Sequence, residues 1–93
     1  MSRDAVVKRV LEGEGKASRE ARRAAFENRS PLPLIDKVAK SAWKVTDEDV
    51  AAAKATTSED EIFELVVCAA IGEATRQLDN ALAALDALDA LEE

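Results

Sequence analysis

Between Ser58 and Glu93 there is no proline and a single glycine, Gly72, in a run made mostly of strong helix formers. Its centre, Glu61–Leu78, reads EIFELVVCAAIGEATRQL, and it opens with Ser58-Glu59-Asp60-Glu61. That opening is a capping-box signature: the serine oxygen can take an orphan amide of the first turn while Glu61 reaches back to the cap amide. From Ile62 to Gly72 only Glu64 breaks an apolar surface that runs all round, and a helix of that kind belongs in a core. At about 1.5 Å per residue its central part alone spans a small domain, so the upstream residues are expected to pack around one rod.

Along this rod Phe63, Val67, Ala70, Ala74, Leu78, Ala81, Leu85 and Leu88 follow three- and four-residue spacings, widened by Leu82 and Leu91. The spacing predicts one apolar stripe. Ala69, Ala70, Gly72 and Ala74 are small enough to admit a neighbouring helix. Beyond Asn80 the chain becomes ALAALDALDALEE, with no upstream residues left to cover it. Leu78, Leu82, Leu85 and Leu88 are therefore expected to meet a second subunit, as in a homo-oligomer, or another protein.

Upstream, four shorter elements are expected. Arg3–Glu12 reads as an amphipathic helix with Val6, Val7, Val10 and Leu11 on one side, closed by Gly13-Glu14-Gly15 in left-handed conformation. With no GK[ST] and no preceding strand, these glycines are turn punctuation and not a phosphate loop. Ser18 caps a helix running to about Asn28, whose face of Ala21, Ala24 and Ala25 suits close approach and whose large anchor is Phe26. Arg19, Arg22, Arg23 and Arg29 stand around it. Ser30-Pro31-Leu32-Pro33 breaks the chain and divides a basic N-terminal arm, residues 1–30, from a hairpin core, residues 31–93, within one helical domain. Leu34–Lys44 is the next helix, with Trp43 expected in the core and Asp36–Lys40 as an i,i+4 pair. Thr46-Asp47-Glu48-Asp49 caps a short helix to about Ala55, and its three acids suit a helix start better than a calcium loop, whose alternation and glycine they lack.

The chain is 93 residues long, enough for one domain. Its net charge of −6 conceals an imbalance: Met1–Val45 holds eleven Lys/Arg and six Asp/Glu, Thr46–Glu93 two and thirteen. Such a split can mark a nucleic-acid arm, but the cations are spread through amphipathic helices without an aromatic stacking platform. The expectation is that the basic half lies on the acidic half, of the same subunit or of a neighbour. The longest apolar run is shorter than the roughly 20 residues a bilayer needs, and Met1-Ser2-Arg3-Asp4 lacks the apolar core of a signal peptide. One cysteine, Cys68, allows no internal disulfide and suits the reducing cytoplasm. There is no histidine, so a serine nucleophile has no imidazole base and a zinc-type site has no ligand set; no metal or cofactor is expected.

Val45-Thr46-Asp47-Glu48-Asp49-Val50, then Ser58-Glu59-Asp60-Glu61-Ile62, then an apolar run ending in Thr75-Arg76, resembles the helical hairpin of the alkylhydroperoxidase D-like, or carboxymuconolactone decarboxylase-like, family. The resemblance covers about Pro33–Leu85, with Thr56-Thr57 where the hairpin turn usually holds glycine. It implies an all-α subunit, short helices around a long C-terminal one, that assembles into dimers, trimers or hexamers. Peroxidatic members of that family use a C-x-x-C pair with a glutamate and a histidine relay. Here Cys68 stands alone, Glu64 lies four residues before it, and Ile71 occupies the second thiol's place. That disulfide cycle cannot run within one subunit.

Three residues stay as catalytic candidates. Cys68 could serve as a one-cysteine peroxidase with Glu64 one turn before it, if Arg76 lowered the thiol pKa; in an apolar run it reads more readily as a small core residue. Arg76 could bind a carboxylate at a subunit-interface cleft, or pair with Glu73 and Asp79. The expectation that follows is a non-catalytic helical oligomer or assembly module, with a small peroxidase or decarboxylase-like enzyme, its interface site near Cys68 and Arg76, as the alternative.

Overall fold

The computed structural model describes residues 2–92, and within them every regular element is helical. In chain order these are α1 (Arg3–Glu12), α2 (Arg19–Phe26), α3 (Pro33–Ser41), a 3-10 turn (Ala42–Lys44), α4 (Asp47–Lys54) and α5 (Glu59–Glu92). Glu93, expected as the last residue of the long helix, lies outside the described residues. No helix of the described residues is long and apolar enough to cross a membrane.

Local chemistry sets the helix starts. Ser2 and Ser18 accept the amides of Ala5 and Ala21, and Thr46 and Asp49 form a complete capping box at α4. At α5 the Ser58 oxygen accepts the Glu61 amide, while the Glu61 carboxylate takes the Ser58 hydroxyl and not the cap amide. Helix α3 has no side-chain cap and begins with Pro33, whose missing N–H costs nothing there.

The ends hold two surprises. Gly13 closes α1 in extended backbone, φ −65° and ψ 171°, not in the expected left-handed form; a Cβ there would lie 2.6 Å from the Arg9 carbonyl oxygen, so glycine supplies room. The left-handed residue is Asn28, φ 59°. Its amide bonds to Ala25 and that of Arg29 to Ala24, a Schellman closure of α2.

Helices α2 and α3 make the broadest contacts with α5, and α1 and α4 complete the packing. One buried cluster joins Leu11, Ala17, Ala25, Ile35, Leu65 and Ala69; a second joins Leu34, Ala53 and Ile62. The basic segment 1–30 packs into the core through Leu11, Ala17 and Ala25. Lys37 reaches Asp49 at 2.7 Å and ties α3 to α4, and the Asp36–Lys40 pair forms at 3.0 Å.

The face that α5 buries is Ile62, Leu65, Cys68, Ala69 and Gly72. It is not the stripe expected from spacing: Phe63 is 69% exposed, and Ala70 and Ala74 face solvent as well. Gly72 explains the choice, because it lets the C-terminal end of α2 approach the α5 backbone directly. Trp43, expected in the core, is 82% exposed. Ser41 leaves helical torsions, φ −154° and ψ 58°, and the 3-10 turn carries Trp43 off the face of Ile35 and Ala39. Its ring there receives the Lys44 ammonium at 4.8 Å.

From Gln77 through Leu91 every residue of α5 is exposed. Among the described residues, the Arg3–Asp79 pair at 2.8 Å is the farthest ion pair along α5 to its own subunit. Beyond it the helix projects, and the molecule measures 56 × 29 × 19 Å.

Candidate functional site

The middle of α5 brings two of the three catalytic candidates together. Glu64 and Cys68, one turn apart, border a groove of about 180 Å³ shared with Arg9, Val10, Arg22 and Phe63. Each is already engaged. The Glu64 carboxylate accepts the backbone N–H of Ala17 at 2.6 Å and of Lys16 at 2.8 Å. Those two bonds, Ala17 first, hold its pKa below the ordinary glutamate value, so it is an ionised clamp on the α1–α2 loop. Gly15 belongs to the same device, since a Cβ there would lie 2.7 Å from a Glu64 carboxylate oxygen.

Cys68 is 1% exposed, its Sγ turned to the Val10 carbonyl oxygen at 3.9 Å. Burial pushes the thiol pKa up, against the opposing pull of the Arg22 charge. A protonated thiol under cover is a poor nucleophile. Maleimide is expected to leave Cys68 unlabelled in the native protein and to label it fully in denaturant; rapid labelling of the native protein would mean that reactants reach the sulfur.

Arg76 is not part of that groove's chemistry. Its Nη1 donates to the Phe26 carbonyl oxygen at 2.6 Å, and its Nη2 donates to Glu73 at 3.1 Å. Asp79, the other expected partner, pairs with Arg3. Gly72 and Arg76, one turn apart, thus act on the same end of α2: the glycine admits it and the arginine caps its carbonyl. Neither hydrogen bond leads toward Cys68, two turns back; the charge that opposes the burial of the thiol is that of Arg22 and not of Arg76.

Arg22 is the residue that sequence reasoning missed. Read as one of four surface cations, it is 5% exposed. Its Nη1 donates to the Val10 carbonyl at 3.1 Å, one of the last carbonyls of α1, which lack intrahelical partners. Its Nε has no partner among the described residues. The one signal was position: Arg22 lies three residues before Ala25, the fully buried residue of α2, and so shares its side of the helix.

The expected interface residues form the second candidate site. Leu78, Leu82, Leu85, Leu88 and Leu91 are 45% to 82% exposed, the last four on the projecting part of α5. With Phe63, Val67, Ala70, Ala74 and Ala81 they make a continuous outward apolar stripe along the helix. Comparison with protein-family models, with curated proteins and with solved structures finds no match to this chain.

Proposed function

We propose that this chain is a non-catalytic helical oligomerisation module of the alkylhydroperoxidase D-like type, which self-associates through the outward face of α5. The observation that carries the reading is the row of exposed leucines on a part of α5 that nothing in its own subunit covers. Fully burying a leucine is worth about 1.5–3 kcal/mol, and apolar rows of this kind on a soluble fold mark interaction surfaces. The non-catalytic half is supported by the closed thiol of Cys68, the committed carboxylate of Glu64 and the capping role of Arg76. The hairpin of α4 and α5, each with a polar N-terminal cap, supports the family reading.

Light scattering across micromolar to millimolar concentration tests it. The wild type is expected to form a defined oligomer, and Leu85→Glu with Leu88→Glu a monomer of unchanged helix content, because neither leucine touches the core. A wild type that stays monomeric throughout would overturn the reading. So would thiol-dependent peroxide consumption that disappears in Cys68→Ala.

A further inference from the structure

We propose that the turn between α1 and α2 holds a small phosphate-type oxyanion, bound by the side chains of Arg22, Lys16 and Arg19. The site is separate from the leucine row of α5 and does not depend on self-association.

The sorting of charges points to it. Of the thirteen Lys and Arg residues, seven form ion pairs among the described residues. The six that do not are Lys8, Arg9, Lys16, Arg19, Arg22 and Lys44. Four of these gather at one place. Lys16, Arg19 and Arg22 line an open cavity of about 690 Å³ at the turn, and Arg9 joins Arg22 in the adjoining groove. Glu14 and Glu64 share the walls of both. The Glu64 oxygens, however, each accept a loop amide, that of Lys16 or Ala17, so N–H donors already answer that carboxylate. Four cations against two carboxylates leave the place positive, in a chain whose net charge is −6.

Arg22 separates this place from a merely solvated surface. It is 5% exposed, and its bond to the Val10 carbonyl is the one hydrogen bond it makes among the described residues. A guanidinium taken out of water normally has a carboxylate beside it, because burying an unpaired charge is costly. No carboxylate of the described residues lies within ion-pair distance of Arg22. An oxyanion in the cavity supplies the missing acceptor and counter-charge. The planar fork of an arginine suits two oxygens of a phosphate group, and a lysine adds a point charge. Lys16 and Arg19, both exposed, complete the set.

Titration calorimetry of the full chain with inorganic phosphate, at ionic strength held constant with chloride, tests the site. One phosphate per chain is expected, with a dissociation constant of about 1 mM or below. Lys16→Gln with Arg19→Gln is expected to weaken binding about tenfold or more while circular dichroism stays unchanged. Arg22→Gln, which keeps a donor for the Val10 carbonyl, is expected to abolish the binding heat; if it fails to fold, the Lys16 and Arg19 variant decides. Lys8→Gln with Lys44→Gln removes the same charge from the two unpaired cations outside the cavity and is expected to leave binding as it was. A wild type that gives no heat would overturn the proposal. So would an equal loss in the two double variants, which would mark a diffuse effect of net charge. Retention of single-stranded DNA without uptake of free phosphate would overturn it too, and would return these cations to a nucleic-acid surface.

Discussion

Replacing Gly72 by alanine is expected to destabilise the fold by about 2 kcal/mol or more, in the upper part of the range for overpacked sites. The new Cβ would fall inside van der Waals contact with the Phe26 carbonyl oxygen, with the Phe26 carbonyl carbon at 2.8 Å and its Cα at 2.9 Å. These are backbone atoms, so no rotamer change relieves the clash and the end of α2 must lift off α5. That movement strains the Arg76–Phe26 hydrogen bond and the packing of Ala25 and Ala69 together. Alanine's better helix propensity, about 1 kcal/mol over glycine, opposes the loss without cancelling it. For a domain of this size the melting temperature falls by roughly 4–8 °C per kcal/mol, so thermal denaturation followed by circular dichroism resolves the effect easily. An unchanged or higher melting temperature would mean that α2 does not approach α5 as closely as Gly72 allows.

The second large effect is expected at Glu64. In Glu64→Gln one amide oxygen replaces two carboxylate oxygens, and the NH2 group faces one of the two donors, Lys16 or Ala17. One of the two amides then loses its acceptor, and that of Ala17 belongs to a buried residue. Hydrogen bonds to charged groups contribute about 1.5–3 kcal/mol each, net, and a loss of about 2 kcal/mol is expected, with faster amide exchange at Lys16 and Ala17. The pH dependence has a definite sign. Glu64 has a lowered pKa in the folded protein, so the unfolded chain, with its value near 4.3, binds the proton more readily. The stability that Glu64 contributes is present above the unfolded value and disappears as pH falls through the folded one. The wild type should therefore lose stability in acid more steeply than Glu64→Gln. Asp49, Glu59 and Glu73 are lowered too, chiefly by hydrogen bonds from Lys37, Lys54 and Arg76, so only the difference between the two proteins isolates Glu64. Parallel acid limbs would show that the carboxylate does not clamp the loop.

Helix order and helix starts were legible in the sequence because capping is local. Ser18, Thr46 and Ser58 each lie within three residues of the amide they accept, and Pro31 and Pro33 break the chain by their own torsions. The isolation of Cys68 in an apolar run, and the lack of cover for Leu82, Leu85 and Leu88, were readable for a similar reason: each follows from what is adjacent in the chain or from what is missing from it.

Only the tertiary structure decided which side of α5 is inside. Ile62 and Phe63, adjacent in sequence and both apolar, point about 100° apart on a helix, and a rod apolar all round gives spacing nothing to choose between. The choice falls to Gly72, where the backbone of α2 lands, and that landing turns Phe63 and Leu78 outward. The same closure buries Arg22 against Val10, and the tightened end of α3 exposes Trp43. By itself the sequence determined an all-helical chain with a long apolar C-terminal helix, because propensity and capping act over a few residues. The face it buries, the cation it hides and the leucines it leaves open depend on where helices meet, and close backbone approach is a property of the packed chain.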